Sequence, residues 1–478
     1  MNVNRRLFLQ TAGGSALATA VPGRSRGASA ARRPNLLIVM TDQQFSDAMS
    51  CRIGDRYIRT PNMDSLAANG MTFTRAYCAN PLCVPSRTSM FTGRYPAETG
   101  VQTNDTTPID ARRFPHMGLL FKSAGYDTGY FGKWHLPYPE ADAAVHGFAP
   151  AKRAKAKGDI GTAAAAADFI RTKRDAPFLM VASFLNPHNI CQWARGEELP
   201  DGPVGTPPAL DQCPPLRPNL EVPKNETDTI ALMRRSYQSH RKFPVSKFDE
   251  KKWREYIWGY YRMIEKVDAL IGQVLRPLRE AGLEERTLIV FLADHGDCQG
   301  AHRWNQKTVF YDEAARVPLI VSLKGVTKPG TSRRLAHTGV DLIPTLCGYA
   351  GIPVPAGLPG MSLKDTAEGK NDKDPRNYLV VCNKMAEGAP VDGRLPTPDG
   401  RMVRSQRYKY CVYSEGQRRE SLVDMEKDPG EMVNVAEDPR FSKTLEQHRG
   451  MLAEWRRATG DGFPAPTASR RPGEERKS

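Results

Sequence analysis

The segment Cys83-Val84-Pro85-Ser86-Arg87 places a thiol, a hydroxyl and a guanidinium within five consecutive residues. A thiol becomes a strong nucleophile only as the thiolate, which needs a neighbouring base, and the residues that follow supply a hydroxyl and a cation instead. The guanidinium of Arg87 would favour an anion near residue 83. The segment therefore raises the question of what chemistry a cysteine performs beside a site for an anion.

Four apolar segments of β type end abruptly in polar residues, and these ends could position further reactive groups. The segments are PNLLIVMTDQQ, YDTGYFGKWH, APFLMVASFLNPHN and RTLIVFLADHGD. Helical stretches lie between them, including HMGLLFKSAG and the long WREYIWGYYRMIEKVDALIGQVLRPLREAG, whose apolar residues recur at spacings of three and four. Alternating strands and helices predict an α/β fold, with a large, mostly parallel sheet covered by helices on both faces. The polar strand ends would then converge on one rim, where open α/β sheets bind ligands.

The pattern changes from about Pro375 to short strand-like pieces followed by one helical stretch, SKTLEQHRGMLAEWRRAT. This change predicts a smaller C-terminal antiparallel sheet with one helix. We therefore divide the chain into a leader at 1–30, a catalytic α/β domain at 31–370 and a C-terminal α+β subdomain with its tail at 371–478. Residues 189–250 are rich in proline, glycine and charge with weak periodicity, and they are predicted to be a long irregular insertion.

Residues 1–30 have the features of an export signal. They contain Arg5 and Arg6, then a modest apolar stretch at Leu7–Val21 and small residues at two possible cleavage sites. The paired arginines before an apolar triplet resemble a twin-arginine signal, which would make the twin-arginine export machinery a partner; an arginine-containing Sec signal is the alternative. No later segment is apolar enough for a membrane helix. We therefore expect a bacterial protein that is exported to the periplasm or the extracellular space and has no transmembrane segment after the signal.

The formal net charge is +15, and residues 1–30 contribute only four arginines to it. A basic excess suits an anionic substrate or polymer, although basic residues can also simply solvate the surface. No nucleic-acid-binding motif is present, so we do not expect nucleic acid as a partner. The nine cysteines form no CxxC pair, and their odd number leaves at least one of them unpaired.

The segment at residues 83–87, together with Thr92-Gly93-Arg94, resembles the signature of the type I sulfatases, which have the alkaline phosphatase-like fold. Further segments resemble the family's other motifs, and together they cover nearly all of the chain after the export signal: GYFGKWHL, NPHN, LADHGDCQGAH and QKTVFYDEAARVPLIV. In that family a maturation enzyme, the formylglycine-generating enzyme, oxidises the cysteine to formylglycine (3-oxoalanine). The hydrate of this aldehyde is the family's nucleophile.

The resemblance implies six catalytic residues, which are Cys83, Arg87, Lys133, His135, His188 and Lys307. Lys133, Arg87 and Lys307 would neutralise the sulfate group, which resists attack because it is anionic. His188, with Lys307, would assist the leaving group, and His135 would take a proton from the second hydroxyl of the hydrate. The second hydroxyl explains the need for an aldehyde, because it allows sulfate to be released without attack of water on sulfur.

The resemblance also implies a divalent metal held by Asp42, Gln43, Cys83, Asp294 and His295. The family most often has two adjacent acids after its first strand, whereas this chain has Asp42-Gln43 and loses one negative charge there. A glutamine oxygen can still ligate a hard cation, and the alternative for Gln43 is a hydrogen bond that shapes the loop. Ca²⁺ is the first expectation from the resemblance. Mn²⁺ or Mg²⁺ stays open, since the imidazole of His295 suits a transition metal somewhat better.

These residues predict an exported sulfatase that hydrolyses sulfate esters, with a sulfated carbohydrate as the expected substrate. A phosphonate or phosphate ester hydrolase of the same superfamily is a second reading, because such enzymes share the formylglycine apparatus. A catalytically silent glycan-binding protein, in which Cys83 stays a thiol, is the alternative from a different class.

Overall fold

The structure, a computed structural model, describes residues 33–148, 151–152, 158–371 and 373–464. The predicted export signal at 1–30 and the basic tail at the C-terminus lie outside the described residues. From Pro34 onward the described residues form one compact unit that contains two β-sheets.

The larger sheet has eight strands in the order β4-β3-β5-β1-β6-β7-β2-β8. Neighbouring strands run parallel except at β7, which is antiparallel to both β6 and β2. The predicted mostly parallel sheet is therefore confirmed. The strands are β1 (Asn35–Asp42), β2 (Met71–Tyr77), β3 (Asp127–Gly132), β4 (Ala151–Lys152), β5 (Phe178–Pro187), β6 (Thr287–Ala293), β7 (Leu319–Ser322) and β8 (Gly330–His337).

Fourteen α-helices lie in the described ranges. They are α1 (Ser50–Ile53), α2 (Pro61–Ala68), α3 (Cys83–Thr92), α4 (Pro96–Thr99), α5 (Met117–Ser123), α6 (Ala143–His146), α7 (Gly158–Arg171), α8 (Ile190–Arg195), α9 (Asp228–Ser239), α10 (Glu250–Glu280), α11 (Asp312–Ala315), α12 (Thr338–Ala350), α13 (Lys364–Ala367) and α14 (Ser442–Thr459). Short 3₁₀ turns occur at Leu210–Gln212, Glu284–Arg286, Ala301–Arg303 and Pro439–Phe441. Among the helices of these ranges, none combines the length and the apolar character needed to cross a bilayer.

Helices cover both faces of the large sheet, as its apolar central strand requires. On β1, Leu37 and Val39 pack into a cluster with side chains of α7 and α10. The alternate residues Leu36, Ile38 and Met40 pack into a second cluster with side chains of α3, α5 and α12. Because successive side chains of a strand point to opposite faces, a continuous apolar run fills both layers at once.

The smaller sheet is antiparallel, with strand order β12-β11-β10-β9, and α14 packs on it. Its apolar contacts join Val380 and Val403 on the strands to Leu452 and Trp455 on the helix. The C-terminal antiparallel sheet with one helix is therefore confirmed. The strands are β9 (Tyr378–Lys384), β10 (Asp399–Ser405), β11 (Tyr408–Tyr413) and β12 (Glu420–Asp424).

The prediction that residues 189–250 are irregular is wrong in part, because α8 and α9 lie within this range. Thr227 caps α9, and its side chain accepts a hydrogen bond from the backbone N–H of Ile230 at 3.4 Å. Ile230, Met233 and Tyr237 are buried along one side of the helix. Their spacing of three and four is a helical signal that the surrounding proline and glycine residues obscure.

All nine cysteines lie within the described residues, and none of them forms a disulfide. Cys51 is exposed and the other eight are buried. Burial raises the pKa of most of these thiols, including that of Cys298, which is buried in an apolar cluster. Cys83 departs from this behaviour.

Candidate active site

The carboxyl ends of four neighbouring parallel strands meet at one rim of the large sheet, as predicted. Asp42 is the last residue of β1, and Asp294 directly follows β6. Lys133 and His188 directly follow β3 and β5, which are the next strands on the other side of β1. Parallel strand ends point the same way, so the four side chains are delivered to one place.

Cys83 is the first residue of α3, and only 1% of it is exposed. Its Sγ lies 3.1 Å from Lys307 Nζ, 3.2 Å from His295 Nε2 and 4.0 Å from Asp42 Oδ1. Burial and the Asp42 carboxylate raise the pKa of the thiol, but Lys133, Lys307 and His295 outweigh them and hold it well below its ordinary value. Residue 83 therefore lies in a pocket that stabilises negative charge.

Arg87 lies one turn after Cys83 on α3 and is fully buried. Its Nε donates to Asp294 Oδ2 at 2.8 Å, and its Nη2 donates to Asp42 Oδ2 at 3.3 Å. Its Nη1 donates to the carbonyl of Lys133 at 3.0 Å and to Ser183 Oγ at 2.9 Å. The guanidinium thus fixes the spacing of the two carboxylates and ties three strand ends together.

Lys307 approaches Cys83 from the loop that follows β6. The backbone N–H of Thr308 donates to the carbonyl of Pro81 at 3.1 Å, which joins this loop to the segment before α3. The ammonium group of Lys307 also donates to Gln43 Oε1 at 3.0 Å. A buried lysine that donates to an amide oxygen and lies beside residue 83 is well placed to bind an anion at that residue.

Four potential metal ligands lie at the same rim, and all four are buried: Asp42, Cys83, Asp294 and His295. Their ligand atoms lie within 4.8 Å of one another. Lys133 Nζ is hydrogen-bonded to Asp42 Oδ2, and Arg87 holds the second carboxylate. Two buried carboxylates with an imidazole and an amide oxygen beside them match the donor chemistry of a hard divalent cation or of Mn²⁺.

Gln43 contributes to this rim through an unusual backbone conformation, with φ of 68°. Its backbone N–H donates to Asp294 Oδ1 at 3.1 Å, and its carbonyl accepts from Tyr260 Oη at 2.7 Å. The side-chain Nε2 donates to Asp297 Oδ2 at 2.8 Å. The amide oxygen accepts from Lys307, and the other contacts give the loop-shaping role of Gln43 a geometric basis, while its role as a metal ligand stays a prediction.

His188 and His135 are the two candidate proton-transfer residues, and both are partly exposed. Burial and the neighbouring Lys307 lower the pKa of His188 to about 3. Its Nδ1 is buried without a hydrogen-bond partner, and so is that of His135, whose φ is 46°. His188 is thus neutral in the free protein near neutral pH, and no side-chain hydrogen bond at Nδ1 fixes its ring.

Direct contacts join eight of the ten predicted site residues, and His188 and His135 lie outside these contacts. Contacts join Asp42, Gln43, Cys83, Arg87, Lys133, Asp294, His295 and Lys307. The charges of Lys307, Asp42 and Lys133 act on His188. His135 enters none of these contacts, and it is near the rim only in the sense that it lies two residues after Lys133 in the chain.

Two supporting residues were not predicted from the sequence. Asp297 holds the amide of Gln43, and it also accepts from the Tyr256 hydroxyl at 3.2 Å. Ser183, inside β5, accepts from Arg87. Asp297 lies in the same LADHGD segment as Asp294, but nothing in the sequence indicates that it faces residue 43 rather than solvent.

Comparison with known proteins adds family information to this geometry. Residues 34–352 match the family model described as Sulfatase, and residues 300–458 match the one described as N-sulphoglucosamine sulphohydrolase, C-terminal. The chain is 33% identical over 465 residues to a Delta 4,5-hexuronate-2-O-sulfatase of Bacteroides thetaiotaomicron, covering 91% of each chain. It is 28% identical to an ulvan-active sulfatase of Formosa agariphila, covering 90% of this chain and 82% of the relative. The solved structure of a 2-O GAG sulfatase superimposes with a TM-score of 0.78 at 29% identity, covering 92% of this chain and 96% of that one.

Proposed function

This chain belongs to the sulfatase family and hydrolyses sulfate esters, and from that membership we propose that its substrates are sulfated carbohydrates and that residue 83 acts as formylglycine. The substrate class is supported by relatives whose names specify a hexuronate and ulvan. The formal net charge of +15 also suits an anionic polymer.

One observation carries the proposal for the nucleophile. The Cys83 Sγ lies 3.1 Å from Lys307 Nζ, 3.2 Å from His295 Nε2 and 4.0 Å from Asp42 Oδ1, at the rim where the strand ends meet. Formylglycine, when formed, would supply a hydrated aldehyde whose two hydroxyls serve for attack on sulfur and for release of sulfate. The oxygen atoms of such a group fit among these donors, because the surrounding cations favour negative charge at position 83.

The chain's own cations would bind the sulfate group. Lys307 and Lys133 donate at present to Gln43 and Asp42, and both ammonium groups face the rim around residue 83. Interactions with the non-bridging oxygens would offset the charge that makes sulfur resistant to attack. Arg87 has four protein acceptors, so we assign it to fixing the carboxylates beside the sulfate.

His188 would protonate the departing oxygen. In the free protein its pKa of about 3 reflects burial and the charge of Lys307. A bound sulfate ester places negative charge beside Lys307 and Lys133, which offsets those cations and raises the pKa of the ring. His188 can then hold a proton in the bound state, close to the leaving group, and donate it as the ester bond breaks.

Asp42 and Asp294 would hold the divalent metal, with Gln43 Oε1 and His295 as further ligands. The family resemblance makes Ca²⁺ the first choice, the imidazole suits Mn²⁺, and the carboxylate oxygens would also suit Mg²⁺. The metal, when bound, would supply positive charge that polarises the sulfate group.

Mass spectrometry of the tryptic peptide Ala76–Arg87 tests the proposed nucleophile. Protein produced with a formylglycine-generating enzyme should show one residue in which SH₂ is replaced by O, located at position 83 by fragmentation. Cys78 lies in the same peptide but outside the Cys83–Arg87 segment, so it is an internal control that should stay a thiol.

An unmodified residue 83 under these conditions would instead favour the glycan-binding alternative. Converted protein should also release 4-nitrophenol faster from 4-nitrophenyl sulfate than from 4-nitrophenyl phosphate. The reverse preference would favour a phosphate or phosphonate ester hydrolase.

A divalent cation should raise the Tm of the protein, because it binds the native state and not the unfolded chain. At a hundredfold excess over the Kd, the gain in unfolding free energy is about 2.7 kcal/mol. We expect Ca²⁺, Mg²⁺ or Mn²⁺ to produce this gain, a chelator to remove it, and Asp294→Asn to abolish it.

Asp341→Asn is the matched control for this experiment. Asp341 is also a buried aspartate paired with an arginine, Arg376, but it lies on α12 outside the cluster of candidate ligands. This variant should start from a lower Tm and keep the full rise on metal addition. The proposed site is contradicted if the metal still raises the Tm of Asp294→Asn. It is also contradicted if none of the three metals raises the Tm of the wild type.

A further inference from the structure

His188 is held in place by its backbone, since its Nδ1 has no hydrogen-bond partner. Its backbone N–H donates to the carbonyl of Leu185 at 3.0 Å, and its own carbonyl accepts from the N–H of Cys191 at 3.0 Å. The backbone position of His188 is therefore set by the turn that runs from Leu185 to Asn189 at the end of β5. Groups that hold this turn in place therefore also hold the backbone from which the His188 side chain extends.

Asp159, in the first turn of α7, binds one side of this turn through three hydrogen bonds. Its Oδ1 accepts from the backbone N–H of Leu185 at 2.6 Å. Its Oδ2 accepts from the backbone N–H and from the side-chain Nδ2 of Asn186, both at 2.8 Å. Only 1% of Asp159 is exposed, so water competes little for these bonds.

Asp201 binds the other side of the turn and holds Asp159 itself. Its Oδ2 accepts from Asn186 Nδ2 at 3.0 Å and from Asn189 Nδ2 at 3.1 Å, so the residues flanking Pro187 and His188 are both attached. Its Oδ1 accepts from the backbone N–H of Asp159 at 2.8 Å. We call these two residues the Asp159–Asp201 clamp.

The surroundings of the clamp are built for this close approach. Gly158 has a φ of 52°, and a Cβ there would lie 2.1 Å from Asp201 Oδ1, so a larger residue is excluded. Lys266 on α10 donates to the carbonyls of Asp201, Gly202 and Pro203, at 2.8, 2.9 and 3.1 Å, and so fixes the backbone that carries Asp201. The two carboxylates share the donor Asn186 Nδ2, and burial together with the charge of Asp201 raises the pKa of Asp159 to about 6.

We propose that Asp159 is a positioning residue for His188, acting through the turn at Leu185 and Asn186. The inference rests on the proposed role of His188 as the group that protonates the departing oxygen. A carboxylate is needed because both of its oxygens accept, whereas an asparagine at 159 would present an N–H₂ group to one set of donors. Loss of one arm of the clamp would let the turn shift, and a proton donor works only within hydrogen-bond reach of its target.

The test is the dependence of activity on the leaving group. Phenol is a poorer leaving group than 4-nitrophenol and needs the proton more. In converted protein, Asp159→Asn should lower kcat on phenyl sulfate on the order of tenfold more than on 4-nitrophenyl sulfate, with little change in KM. His188→Gln should show the same selectivity, and the double variant should be hardly worse than either single variant.

The outcomes separate this inference from the proposed function. Equal losses in kcat on both esters for His188→Gln would remove the proposed role of His188 and the inference with it. Selective losses for His188→Gln, with equal losses for Asp159→Asn or additive effects in the double variant, would overturn the inference alone.

Two further variants guard against an effect on folding. Asp341→Asn removes a buried carboxylate that accepts from the backbone N–H groups of His337 and Met361, and it should not change the ratio of the two kcat values. Asn186→Ala removes only the amide that joins both carboxylates, and it should reproduce the selectivity of Asp159→Asn on a smaller scale. An unchanged ratio in Asn186→Ala would contradict the inference even if Asp159→Asn does not fold.

Discussion

Replacing Cys83 with serine should give a protein that accepts one sulfate group and then stops. A serine hydroxyl at the first position of α3 would lie beside Lys307 and His295, as the thiol does. It can attack sulfur, but it has no second hydroxyl with which to expel the sulfate, so release requires attack of water on a sulfate ester. Steady turnover is then lost, while the first half of the reaction is kept.

The measurement is a burst of 4-nitrophenol from 4-nitrophenyl sulfate that approaches one equivalent per protein, together with intact mass. Cys83→Ser should gain the mass of one SO₃ group, located on the peptide Ala76–Arg87. Cys83→Ala, which has no nucleophile, should give neither burst nor mass gain. Continuous turnover by Cys83→Ser, or a burst by Cys83→Ala, would mean that residue 83 does not attack sulfur.

Replacing Lys307 with methionine should cause the second large loss of activity, because it removes a cation from the place where the sulfate would bind. The side chain keeps its length and loses its charge, so kcat/KM should fall on the order of 10²–10³-fold, as when a group that stabilises developing charge is lost. The nearest partners of Lys307 other than residue 83 are the Gln43 amide and the His295 ring, at 3.0 and 3.3 Å. Asp42 keeps its ion pairs with Arg87 and Lys133 when Lys307 is replaced, so the substitution leaves this buried carboxylate paired.

Lys409→Met is the matched control for Lys307→Met. Lys409 is equally buried, but it pairs with Asp312 and Glu431, both at 2.6 Å, between the large sheet and the C-terminal sheet. Its loss should lower the unfolding free energy by about 3–5 kcal/mol and leave kcat/KM of the folded fraction unchanged. Urea unfolding and steady-state kinetics on both variants check the contrast. A larger stability loss for Lys307→Met than for Lys409→Met would indicate that Lys307 serves the fold and not the substrate.

The sequence was sufficient to predict the elements that build the rim. The apolar runs at β1, β3, β5 and β6 are long and end sharply in polar residues, so their type and direction follow from patterning alone. β7 is the exception in the sheet: its apolar residues Leu319–Ser322 indicate a strand, but a short apolar run carries no information on direction, and the strand is antiparallel.

The candidate site was predictable as a set of residues and not as a set of contacts. The motifs indicated Asp42, Asp294, Cys83 and Lys307, and the structure places them together. The sequence could not indicate that Arg87 donates to two carboxylates, a carbonyl and a hydroxyl, because these partners lie in or directly after four different strands. Asp159 was not predicted either, because an aspartate at the start of a helix is common and does not by itself indicate a contact with a distant turn.

The burial of Cys83 also constrains the order of events in the life of the chain. With 1% of the residue exposed and α3 packed under the loop of Lys307, no enzyme can reach this side chain in the folded protein. The proposed oxidation of Cys83 by a maturation enzyme would therefore have to precede the docking of α3, so that folding and modification would compete for the same chain. The modified fraction would then depend on the rate of modification relative to the rate of folding, and we expect conditions that slow folding to raise it without any change in the site.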